Sequence, residues 1–138
     1  MFNKKFEERM SEWKQFRDTL EVSKNPIEDT ISYYDRAPLV SIQADAWTQT
    51  TWPDPWELLK DNVYCPFVKI LAICYTLQLT KRFSQSRFEI HITQDNENIR
   101  YLLTIDTWCI GYKSTVISVN DLPADIIFEK TYTMSSLQ

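Results

Sequence analysis

The segment YCPFVKILAICYTLQLT, Tyr64 to Thr80, decides the fold class of this chain. From Pro66 onward, Phe67, Val68, Ile70, Leu71, Ile73, Tyr75, Leu77 and Leu79 leave a helix with almost no polar side, so it must be covered on several sides. Pro66 suits its first turn, and such a helix belongs at the centre of a domain. Downstream the apolar period changes to two. Phe88, Ile90 and Ile92 alternate with Glu89, His91 and Thr93, and Tyr101, Leu103 and Ile105 alternate with Leu102, Thr104 and Asp106. Polar turns at 94–98, 113–114 and 120–125 divide this half into four antiparallel strands, at about 87–94, 99–111, 115–119 and 126–134. The fold expected is α+β: N-terminal helices and one buried central helix packed on a four-stranded antiparallel meander sheet.

Upstream, Phe6, Met10, Trp13, Phe16 and Leu20 recur at helical intervals among charged residues, which predicts an amphipathic helix over residues 2–22. Asn25-Pro26 ends it and starts a shorter helix carrying Ile27, Ile31 and Tyr34, closed by Ala37-Pro38. A short extended piece is expected at Leu39-Val40-Ser41-Ile42. Asp54-Pro55-Trp56-Glu57 is a helix start in which Glu57 can return a hydrogen bond to the cap residue. Trp47, Trp52 and Trp56, with Pro53 and Pro55, concentrate large apolar area in a stretch that either lids the core or binds a partner. Together the pieces make one domain over residues 1–138: the amphipathic helix at 1–24, short helices and the Trp/Pro-rich segment at 25–62, and the central helix with the sheet at 63–138.

Composition narrows the function classes. A net charge of -4, with 15 basic residues spread through the chain, gives no footprint for nucleic acid as a main partner. One glycine, Gly111, is too few for a phosphate-cradling loop, and one histidine with three scattered cysteines is too few for a structural metal site, so neither cofactor nor metal is expected. Cys65 and Cys74, nine positions apart on one helix, would lie about 13 Å apart and cannot bridge. No apolar leader follows Met1, which makes reduced thiols and a cytoplasmic setting the expectation. The longest apolar run is shorter than the roughly 20 residues a bilayer needs.

Cys65 stands at a helix start, where unpaired N–H groups favour a thiolate, with His91 and Asp106 following on neighbouring strands. Tyr64-Cys65-Pro66-Phe67, Phe88-Glu89-Ile90-His91-Ile92 and Leu103-Thr104-Ile105-Asp106 resemble the core of the transglutaminase-like and papain-like superfamily over about residues 55–112. That resemblance implies a compact thiol enzyme with Cys65 as nucleophile, His91 as base and Asp106 orienting the imidazole. The strand pattern points elsewhere. A turn centred near Asn96 and Glu97 sets His91 opposite Leu102 or Tyr101 and Asp106 opposite Arg87, roughly 13 to 17 Å along the ladder at about 3.3 Å per residue. Parity aims His91 away from Cys65, because Phe88, Ile90 and Ile92 should face the central helix. No catalytic residue is therefore favoured.

Across the whole chain, Asn25-Pro26-Ile27-Glu28, Trp52-Pro53-Asp54-Pro55-Trp56-Glu57-Leu58-Leu59 and Tyr75-Thr76-Leu77-Gln78-Leu79 resemble small proteins encoded by large tailed bacteriophages, particularly marine ones. This implies a viral, virion-associated role in the host cytoplasm or the particle. The leading expectation is a non-enzymatic assembly or interaction protein that self-associates or binds other proteins through Phe6, Met10, Trp13, Phe16 and Leu20 and through Trp47, Trp52 and Trp56. On that reading residues 1–23 dock separately, and their removal leaves a cooperative domain. The alternatives are the thiol enzyme and a small-ligand module with a pocket formed by the three tryptophans.

Overall fold

A computed structural model describes residues 1–39 and 45–137. Four α-helices, α1 (Phe6–Leu20), α2 (Pro26–Asp35), α3 (Pro55–Asp61) and α4 (Pro66–Gln78), precede five strands. These are β1 (Phe88–Asp95), β2 (Asn98–Ile105), β3 (Trp108–Ile110), β4 (Ile117–Ser118) and β5 (Ile127–Thr133), with one 3-10 turn at Gln49–Thr51 and another at Val119–Asp121. The fold is α+β, and every strand pair is antiparallel. Of the extended piece expected at 39–42, Leu39 bridges Tyr64 in parallel, and the remainder lies outside the described residues.

Local chemistry accounts for the starts of α2, α3 and α4, whereas α1 begins at Phe6 rather than at residue 2, and its N-cap residue, Lys5, makes no side-chain cap. Three of the four helices have proline in the first turn. α3 carries the expected capping box: the Glu57 amide donates to Asp54 Oδ1 at 2.8 Å, and the Asp54 amide donates to Glu57 Oε1 at 3.4 Å. α4 is buried along most of its length, with Leu71, Cys74 and Leu77 sealed from solvent. It touches α2, α3, β1 and β2, which is the covering its all-round apolar sequence demands.

The sheet has five strands in the order β4-β3-β2-β1-β5, not the four-stranded meander expected. Two differences account for this. The expected strand 99–111 is two strands, because Asp106 takes a left-handed φ of 52° and the chain doubles back through Asp106 and Thr107, so that Ile105 faces Trp108. Aspartate tolerates that conformation far better than the β-branched residues around it. The last strand does not return to β4 but crosses to the other side of β1, making β1 an interior strand. The β1–β2 hairpin itself has the expected register: Asn96 and Glu97, at φ 48° and 71°, form the two-residue turn, and His91 faces Leu102.

Both faces of the sheet are covered. Phe88, Ile90, Ile92, Leu103, Ile105 and Ile110 share the main core with α4. On the opposite face His91, Thr93, Leu102, Thr104 and Cys109 are also buried. There, residues of the 119–128 stretch flank His91 and Thr104 across a groove, and the Phe128 ring lies 5.0 Å from the His91 ring.

Candidate functional site

The thiol, the imidazole and the carboxylate are not brought together. Cys65, the N-cap residue of α4, is buried in the core cluster with Ile90 and Ile92, whereas His91, between those two, is on the other face of β1. Both nitrogens of His91 are occupied: Nδ1 lies 2.8 Å from Thr131 Oγ1, and Nε2 lies 2.8 Å from Thr104 Oγ1. A neutral ring donates through one nitrogen and accepts through the other, and a threonine hydroxyl can serve either role. Burial pushes the His91 pKa down, with the nearby Glu89 carboxylate partly opposing it. Such a ring can relay a proton between two hydroxyls, but it has no thiol to activate.

Asp106 serves the backbone. Its Oδ1 accepts from the Arg87 amide at 2.9 Å, and its own amide donates to the Arg87 carbonyl at 3.0 Å, which closes the ladder beyond Phe88 and Ile105. The expected Arg87–Asp106 pairing is thus made by the Arg87 main chain, while the guanidinium reaches Glu89 at 3.3 Å. Asp106 and His91 line a common groove with Glu89, but Asp106 bonds neither ring nitrogen. All three cysteines are free and buried. Burial raises the Cys109 thiol to about 11 and raises Cys74 as well.

The α1 stripe, expected as a contact surface, is largely consumed by its own domain. Trp13 is 2% exposed and Leu20 is sealed. Phe16 stacks on Tyr33 with centroids 3.9 Å apart, and Phe6 and Met10 are half-buried. The decisive contact is polar. Thr76 of α4 gives its one hydroxyl hydrogen to the Ala72 carbonyl at 2.7 Å, so its oxygen accepts from Trp13 Nε1 at 2.9 Å and from the Tyr34 hydroxyl at 3.0 Å. One buried threonine thereby ties α1, α2 and α4.

Two further anchors hold the ends of α1. Arg9 donates from Nε to the Leu59 carbonyl at 3.0 Å and from a terminal nitrogen to the Lys60 carbonyl at 3.1 Å, placing a cation where α3 presents its unpaired carbonyls. The Glu21 carboxylate accepts the Lys81 and Arg82 amides at 2.7 and 3.1 Å, and Arg82 returns bonds to the Leu20 and Ser23 carbonyls.

The three tryptophans of the Trp/Pro segment do not converge on one pocket. Trp52 turns inward against Phe67 and Tyr132, at centroid distances of 5.0 and 4.7 Å. Trp56 lies edge-on to Trp13 at 5.7 Å and stays 48% exposed, and Trp47 is 51% exposed. Their supports are firm. Asp45 accepts from the Trp47 amide and the Thr48 hydroxyl, the Trp47 carbonyl accepts from the Tyr132 hydroxyl at 3.0 Å, and Trp56 sits in the capped first turn of α3.

Sequence reasoning missed other exposed apolar side chains, among them Val22, Ile99, Trp108, Ile127 and Phe128. The run Ile126-Ile127-Phe128 breaks strict alternation, which was the available signal that its residues do not share one buried face. Among the described residues, no group of three or more His, Cys, Asp and Glu is placed to hold a metal ion, and no helix is long and apolar enough to cross a membrane. Comparison with protein-family models, curated proteins and solved structures finds no match to this chain.

Proposed function

We propose that this protein is a non-enzymatic interaction module that presents Trp47 and Trp56 to a protein partner. The observation that carries the reading is that two large indoles remain about half exposed on backbone that is otherwise capped and hydrogen-bonded. Rigid, partly exposed tryptophans cost little ordering entropy on binding and are among the commonest interface hot spots. The surface is narrower than the sequence alone implies, since Trp13 and Leu20 are spent inside the domain and Trp52 packs against Phe67 and Tyr132. The resemblance to small proteins of large tailed bacteriophages makes virion and assembly components the first partners to try.

Native mass spectrometry of the full chain, alone and with virion or host components, tests this against the Trp47→Ser/Trp56→Ser variant. The wild type should form a defined complex or self-associate, and the folded double variant should lose it. Undiminished assembly by the double variant, or no complex with the wild type, refutes the reading.

A further inference from the structure

A cleft of about 410 Å³ opens between α2, α4 and the β2–β3 side of the sheet. Its floor is aliphatic, built from Ile31, Ile70, Ile73 and Ile110. Lys69, Arg100 and Lys113 line it against one carboxylate, Asp35. In a chain of net charge -4, three cations and one anion around an aliphatic floor invert the overall charge balance. Among the described residues Lys69 and Lys113 form no ion pair, while Arg100 approaches Asp95 at 3.7 Å and lies over the Tyr112 ring.

The only glycine of the chain lies in the wall of this cleft. Gly111 has φ 109°, and a Cβ there would fall 2.4 Å from the Tyr101 carbonyl oxygen and 3.1 Å from Ile70 Cδ1. The close approach of the β3 exit to β2 and to the cleft floor therefore requires glycine.

We propose that this cleft binds a small amphiphilic carboxylate, with the alkyl part on the isoleucine floor and the carboxylate among Lys69, Arg100 and Lys113. The volume falls in the range of small-molecule sites, roughly 300–1,000 Å³, and a mostly apolar lining with a few charged groups is the usual composition of such sites. The isoleucine floor favours a ligand with an alkyl body over a bare inorganic anion such as phosphate. The site is separate from Trp47 and Trp56, so it stands or falls independently of the interaction reading.

Decanoate is the probe, with decanol as its uncharged counterpart, titrated into the full chain by calorimetry and amide NMR. Decanoate should bind with shifts centred on α4 and residues 99–114, and decanol should bind about tenfold more weakly. Lys69→Gln/Lys113→Gln, at positions that keep access to solvent, should weaken decanoate by about tenfold and leave decanol unchanged. Trp47→Ser/Trp56→Ser should change neither. Equal binding of the two probes, unchanged decanoate affinity in the lysine variant, or no binding of decanoate overturns the proposal.

Discussion

The α1 stripe and the Trp/Pro segment read alike in the sequence, as aromatic-rich stretches able to serve a partner, yet the fold treats them differently. In α1 the aromatics are accompanied by buried polar bonds, Trp13 to Thr76 and Arg9 to the end of α3, whereas in the segment only Trp52 turns inward and Trp47 and Trp56 stay half exposed. An apolar stripe establishes that a helix docks somewhere; it does not say on whose core. Polar anchors decide that, because a buried donor left without its acceptor costs about 1–3 kcal/mol, which holds the helix to the one surface that supplies the acceptor.

The strongest way to break the comparison is to delete residues 1–23. The expectation that this leaves a cooperative domain is reversed by the contacts of Arg9, Trp13, Leu20 and Glu21, so the truncated chain should aggregate or melt without cooperativity. Calorimetric melts decide it, and a soluble, cooperative fragment would restore a separable helix.

Next in size, Trp13→Ala should cost about 3–5 kcal/mol, comparable to Leu71→Ala at about 2–5 kcal/mol, because both open cavities in one core. Urea denaturation of the two variants makes the test, and a cost for Trp13→Ala below about 1 kcal/mol would put α1 outside the core. Thr76→Val isolates the polar anchor: it keeps the shape but removes the acceptor for Trp13 and Tyr34. A loss of about 2 kcal/mol is expected, and it should shrink when Trp13 is already phenylalanine.

A smaller effect sharpens the contrast between the two faces of the sheet. The folded-state pKa of His91 is depressed, so the unfolded chain binds the proton more readily. Its contribution to stability is whole above the ordinary histidine pKa and is lost as pH falls from there through the lower folded value. Wild type minus His91→Gln should show that loss in denaturation midpoints taken across the window, and a flat difference would mean that the outer face is open to water. The smallest expected effect is at the exposed indole: Trp47→Ser should stay within about 0.5 kcal/mol of wild type by denaturation.

Much of the candidate chemistry was legible before any coordinates. Period-two alternation and the Asn96-Glu97 turn put His91 opposite Leu102 or Tyr101, of which the ladder uses Leu102, on the face away from Cys65, and Asp106 beside Arg87. The legible part is local: a turn and its ladder follow from adjacent residues, and one step of register would send Ile90 and Ile92 to the wrong face. The partners of His91 were not legible. Thr131 reaches it from a strand forty residues later, and the apolar residues on both sides of Asp106 read as one continuous strand, which hid the reversal an aspartate can make.

The sequence by itself determined where the three proline-led helices begin, which helix is buried, the first hairpin and its register, and that Cys65 and His91 face apart. Only the tertiary structure decided that β5 pairs with β1, that Thr76 draws α1 and α2 onto α4, that Trp52 goes in while Trp47 and Trp56 stay out, and that isoleucines from α2, α4 and β3 meet beneath three cations. The reason is physical. Caps, turns and periodicity are set by neighbours within a few residues, whereas strand order and buried polar partners are chosen by competition among distant surfaces.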